Sequence, residues 1–199
     1  MPNLLQYLCV NVQRKGYEKM ANYDALTVAN YVVYHALNHK KGILHLKLQK
    51  ILYFIEAHYL VDHGKPLIAE HFEKWKLGPV IPEVYHEYKT FVSRPITRVP
   101  PIRSVTFNEE ADEFEFSVEK FDPESVDIGA ADKEFIERIT DLYIEEDAFD
   151  LVKRTHKHEL WSDYEKEIMA GGHRFIYEKE EMRDYFLSRK DLLEDTNGR

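Results

Sequence analysis

Residues 46–63, LKLQKILYFIEAHYLVDH, decide how the rest of this chain is read. Leu48, Ile51, Leu52, Ile55 and Tyr59 recur at helical spacing and make a broad apolar stripe. Lys47, Lys50 and Glu56 fall off that stripe and are expected to face elsewhere. Gly64–Lys65–Pro66 then breaks the pattern, because proline has no N–H to continue a helix. The spacing predicts a helix from about Leu46 to His63.

Working outward, Val28, Tyr31, Val32 and His35 predict an earlier helix from about Ala25 to His39. Asp24 can cap its amino end, and Lys40–Lys41–Gly42 reads as its stop. On the other side, Phe72–Glu73–Lys74–Trp75–Lys76–Leu77 runs into a turn at Gly78–Pro79. Pro82 can open a third helix that reaches about Phe91. Val99–Pro100–Pro101 cannot be helical. Residues 103–107 and 113–118 alternate in polarity and predict a β-hairpin with a polar tip. Helices are expected again at about 131–144, 148–156 and 179–189. The expected fold is mainly α, a compact single-domain helical bundle with a small β-hairpin insertion around residues 103–118.

Composition narrows the function. Of 199 residues, 44% are hydrophobic and 32% charged, a globular balance. Lys plus Arg is 27 and Asp plus Glu is 36, giving 27 − 36 = −9. Nucleic-acid binding is driven largely by phosphate contacts to basic surface, so this balance argues against it and suits a partner with a basic face. The single Cys9 allows no intramolecular disulfide, in keeping with a reducing compartment. No run approaches the length of apolar sequence that spans a membrane, and Met1–Pro2–Asn3–Leu4 does not open like a secretion signal. The expected location is cytoplasmic. Met20–Ala21–Asn22–Tyr23 reads like a fresh protein start. Residues 1–20 are therefore taken as an N-terminal extension, 21–190 as one domain and 191–199 as a flexible tail.

Catalytic signatures are absent. The ten histidines invite a metal reading, and His35 and His39 stand one helical turn apart. The two His-Glu pairs, His86–Glu87 and His158–Glu159, both lack the second His of a zinc protease motif. There is no glycine-rich phosphate loop and no G-x-S-x-G, and Gly171–Gly172 reads as a turn. No catalytic residue, metal or cofactor is assigned.

The charge is concentrated. Between Glu109 and Glu124 there are eight acids and one base, Lys120. Such runs are often solvated faces. The sharper reading makes Glu109, Glu110, Asp112, Glu113 and Glu115 a docking surface that attracts a basic partner.

Three segments carry a resemblance. Lys47-Leu48-Gln49-Lys50-Ile51-Leu52-Tyr53-Phe54, Gly64-Lys65-Pro66-Leu67 and Trp75-Lys76-Leu77-Gly78-Pro79-Val80-Ile81-Pro82-Glu83-Val84-Tyr85 together look like the Panacea domain of the SocA-like, phage-associated antitoxins. Val28-Ala29-Asn30-Tyr31, Thr155-His156 and Trp161 sit where that family has them, and the likeness spans about residues 24–187. The family commonly has a proline before the late tryptophan, whereas this chain has Leu160, a departure that bears on the backbone at 159–161. Lys47, Leu48, Gln49, Lys50, Tyr53, Trp75, Gly78, Pro79, Val80, Tyr85, His156 and Trp161 are read as a structural motif. In that reading His156 holds helix packing by hydrogen bonds. The resemblance implies an antitoxin that neutralises a cognate toxin, encoded by an adjacent gene, by direct protein binding. The alternative is a proteolytic adaptor that delivers the toxin to an energy-dependent protease. A metal-dependent enzyme and a DNA-binding regulator stand behind these two.

Overall fold

A computed structural model describes residues 22–91, 94–108, 112–172 and 175–194. The expected extension over 1–20, with Met20 and Cys9, lies outside them, as do Glu109, Glu110 and residues 195–199. The chain is mainly helical. Its elements are α1 (Ala25–Asn38), α2 (His45–His63), β1 (Phe72–Trp75), β2 (Gly78–Val80), α3 (Pro82–Tyr88), β3 (Ile102–Asn108), β4 (Glu113–Glu119), α4 (Ala130–Tyr143), α5 (Ala148–His156), α6 (Glu159–Ser162), α7 (Glu165–Met169), β5 (Ile176–Tyr177) and α8 (Lys179–Ser188). Short 3-10 turns at Lys89–Phe91 and Lys190–Leu192 follow α3 and α8. The segment read as a tail from 191 begins inside the second turn, and Leu193 is buried.

Local signals set the helix ends. The Asp24 carboxylate accepts from the Thr27 N–H at 2.9 Å, so α1 starts where a cap was expected. Gly64 ends α2 in the left-handed conformation at φ 68°, with its N–H bonded to the Leu60 carbonyl. Asp147 caps α5 through the Phe149 N–H at 2.8 Å.

The centre of the molecule is α2, which packs against α1, α3, α4, α5, α8 and β2. Lys50 and Glu56 do not face away from the core, as the stripe suggested; each is fully buried. The stripe reading assumes one covered face, and from residue 48 to residue 57 α2 is buried on every side. Lys50 and Glu56 are therefore bonded internally. Lys50 Nζ donates to the Pro79 carbonyl at 2.9 Å. Glu56 accepts from the Leu67 and Ile68 N–H groups at 3.1 and 3.0 Å and from Lys179 Nζ at 2.9 Å. His58 Nε2 lies 2.9 Å from the Tyr143 hydroxyl, and the Tyr59 hydroxyl donates to Asp132 at 2.9 Å.

Two small sheets accompany the helices. β1 pairs antiparallel with β2 and with β5, with Trp75 opposite Gly78 and Phe72 opposite Tyr177. The expected turn at Gly78–Pro79 is thus a sheet, hidden in the sequence because strands this short show no alternation. The second sheet, β3 with β4, is the expected hairpin. No helix among the described residues is long and apolar enough to cross a membrane.

Histidines withdrawn wholly or partly from water make stability depend on pH, His158 and His58 among them. His158, 2% exposed with Nδ1 3.2 Å from the Tyr53 hydroxyl, is pushed by burial from 6.5 down to about 3. His58 is pushed by burial down to about 4. Unfolding returns both to their ordinary affinity, so below about pH 6.5 the unfolded chain binds more protons. Stability is then full above that pH and lost as pH falls toward the folded values. Urea unfolding at about pH 7 and about pH 5 should show the lower midpoint in acid, and H58Q should narrow the gap.

Candidate functional site

The motif residues converge on the β1–β2 turn. From α2, the Gln49 amide oxygen accepts the Ile81 N–H at 2.9 Å, just beyond β2, while Lys50 holds the Pro79 carbonyl. From the opposite side, the Trp161 indole donates to the Trp75 carbonyl at 2.9 Å. His156 stacks on Trp161 with centroids 3.6 Å apart and planes 6° from parallel. Its Nε2 is buried without a hydrogen-bond partner, so ring contact rather than hydrogen bonding is what His156 Nε2 brings to this packing. Leu160, buried, is the second residue of α6. N–H groups in the first turn of a helix have no intrahelical acceptor, which explains how leucine can stand where the family has proline.

Gly78 sits at the middle of this clamp with φ 91°. A Cβ there would fall 2.6 Å from Thr155 Oγ1 and 2.9 Å from Lys50 Nζ. Both the backbone conformation and the space demand glycine.

Tyr53 lies further along α2, with its ring against Phe54, Phe72, Tyr177 and Phe186. Leu48 is buried in the core. Lys47 is apart from the turn and donates to the Ile144 carbonyl at 2.8 Å, at the end of α4. Trp75 donates through its indole to Glu73 at 2.7 Å and meets the Tyr85 ring at 4.8 Å. Gln49, Trp75, Val80 and Tyr85 line one cavity, shared with His45. His45 was missed in the sequence because the predicted helix began one residue after it.

The β3–β4 ribbon has two unlike faces. Alternation puts Glu113, Glu115 and Glu119 on one and Phe114, Phe116 and Val118 on the other. Phe107 lies opposite Phe114 and Val105 opposite Phe116, which extends the apolar face across both strands. Phe114 is 61% exposed, Phe116 75% and Val118 68%. Asp112, Glu113 and Glu115 are exposed as well, so these acids share the ribbon with a large apolar face that the charge count alone did not reveal.

The histidine pair is otherwise engaged. His35 Nε2 lies 2.9 Å from Asp141, and His39 Nδ1 lies 3.1 Å from the His35 carbonyl. Among the described residues no group of three His, Cys, Asp or Glu side chains could hold a metal.

Comparison with known proteins bears on the same region. The family model "Antitoxin SocA-like, Panacea domain" matches residues 48–162. The match covers α2, the β1–β2 turn, the ribbon and the Thr155–Trp161 segment. "Antitoxin SocA" of Caulobacter vibrioides is 48% identical over 62 residues, 31% of this chain. The alignment spans 33% of that protein, about a third of its length. No solved structure matches the chain.

The clamp predicts an asymmetry between two glycines. G78A adds both left-handed strain and a collision, and should cost about 2–4 kcal/mol. G64A, at φ 68° with nothing within 4 Å of the added Cβ, should cost only about 1 kcal/mol. Denaturant midpoints of the two variants check this.

Proposed function

Because the chain belongs to the SocA-like antitoxin family that carries the Panacea domain, we propose that it neutralises a cognate toxin by gripping it directly. The toxin is the product of an adjacent gene, the binding makes and breaks no covalent bond, and the complex forms in the cytoplasm. One observation carries this reading. The β3–β4 ribbon exposes Phe107, Phe114, Phe116 and Val118 together on one face. A two-stranded hairpin is marginal on its own, and contiguous exposed apolar surface is typical of a protein interface. Buried against a partner, these rings form the apolar centre, while Asp112 at the tip and Glu113 and Glu115 on the reverse face supply a negative field that draws in a basic surface. The exposure of these rings favours protein capture over catalysis.

Growth of cells expressing the neighbouring gene tests the reading. Co-expression of this chain should restore growth, and F114S/F116S should abolish the rescue without lowering the melting temperature, since both rings face solvent. Reversing Asp112, Glu113 and Glu115 to lysine should slow association and flatten its salt dependence. A harmless neighbour overturns the antitoxin reading, and full rescue by F114S/F116S removes the ribbon from it. Loss of toxin protein in the presence of an active protease, in place of a stable complex, would favour the adaptor.

A further inference from the structure

A cavity of about 780 Å³ opens between the amino end of α2, the β1–β2 turn and the segment after α7, on residues apart from the ribbon. That volume lies within the range of small-molecule sites. Trp75, Tyr85 and His45 form a continuous aromatic wall, with Tyr85 4.8 Å from Trp75 and 4.9 Å from His45. Two lining side chains carry unmet hydrogen-bonding capacity. Gln49 is 1% exposed, and because its Oε1 accepts from Ile81, its Nε2 must be the donor end. Among the described residues that donor has no acceptor. His45 is 7% exposed and its Nε2 is also without a partner among them. An unsatisfied buried donor costs about 1–3 kcal/mol, which a ligand oxygen would recover.

The surroundings specify the sign of that ligand. α2 begins with no side-chain cap and no acid in its first turn, so the positive end of a 19-residue helix is unanswered by any carboxylate of its own. Lys76 and Lys89 stand exposed in the lining. Glu73 also lines the cavity, but its carboxylate is taken by the Trp75 indole and braces that ring. Burial lowers His45 to about 4, so the imidazole is neutral near pH 7 and its Nε2 can carry a proton to donate. We propose that the cavity binds a small planar anion, a ring bearing a carboxylate or a phosphate. The ring lies on Trp75 and Tyr85, and the anion meets Gln49, His45 and the two lysines at the head of α2.

Calorimetric titration of the full chain with AMP and with benzoate tests this, with adenosine and inorganic phosphate as the separate halves. A ring-bearing anion should bind one to one, at least about tenfold more tightly than either half. It should also quench the fluorescence of Trp75, whereas Trp161 is buried outside the cavity. Q49E keeps the oxygen that Ile81 needs and replaces the donor with a carboxylate, so it should abolish binding. K76E/K89E, on exposed side chains, should weaken binding at least about tenfold with an unchanged melting temperature. The site is refuted by no saturable binding of either anion at millimolar concentration, by adenosine binding as tightly as AMP, or by binding unaltered in both variants. Toxin rescue in cells is read independently, so either idea can fail alone.

Discussion

A helix whose middle is buried on every side must answer most of its polar side chains inside the protein, and α2 does so by seizing the backbone of its neighbours. Gln49 takes the Ile81 N–H, Lys50 the Pro79 carbonyl, and Glu56 the N–H groups of Leu67 and Ile68. Each bond fixes a segment that would otherwise be loop. The alternatives are expensive, since a buried polar group without a partner loses its hydration for nothing. Lys50 shows the tension most plainly. Burial pushes its pKa well below the ordinary 10.5. Glu56 is drawn in two directions: burial raises its pKa, while Lys179 and the two N–H groups hold it down. The Glu56–Lys179 contact straps the start of α8 to the central helix.

This constraint also explains what could be read from the residues alone. The longer helices were legible because their periodicity, Asp24 and Gly64 are local signals, while α6 and α7, four and five residues long, are too short to show a period; the β3–β4 hairpin was legible because seven-residue strands alternate visibly. The burial of Lys50 and Glu56 was not legible. A charged residue off the apolar stripe looks the same whether solvent or another element covers it, and what covers it here comes from β2 and α8. The β1–β2–β5 sheet escaped for a related reason: it joins residues 72–80 to residues 176–177. The motif residues were individually visible, but their convergence on Gly78 depends on tertiary placement. His45 carries no signal beyond its own identity, and the apolar face of the ribbon stands in the alternation, which does not say whether another element covers it.

The molecule divides its residues between two tasks. Lys50, Gly78, Thr155 and Trp161 are committed to one another and hold the β1–β2 turn in place from both sides. Phe114, Phe116 and Val118 are committed to nothing beyond their own strands and project from a ribbon paired only within itself. The matched region contains both parts, and only the clamp is tied to the geometry of α2.

The reach of the α2 contacts has a consequence for how the protein is made. Tyr53 meets His158 across 105 residues of chain, and Glu56 meets Lys179 across 123. Synthesis at about 5–20 residues per second separates the appearance of Glu56 from that of Lys179 by roughly 6–25 s. For part of that interval the central helix is outside the ribosome while much of its covering has yet to be translated. Closing such long loops is also entropically slow. The newborn chain therefore presents its central helix to chaperones and proteases before it can fold around it, and the cell's quality-control machinery meets this protein first as an unfinished core.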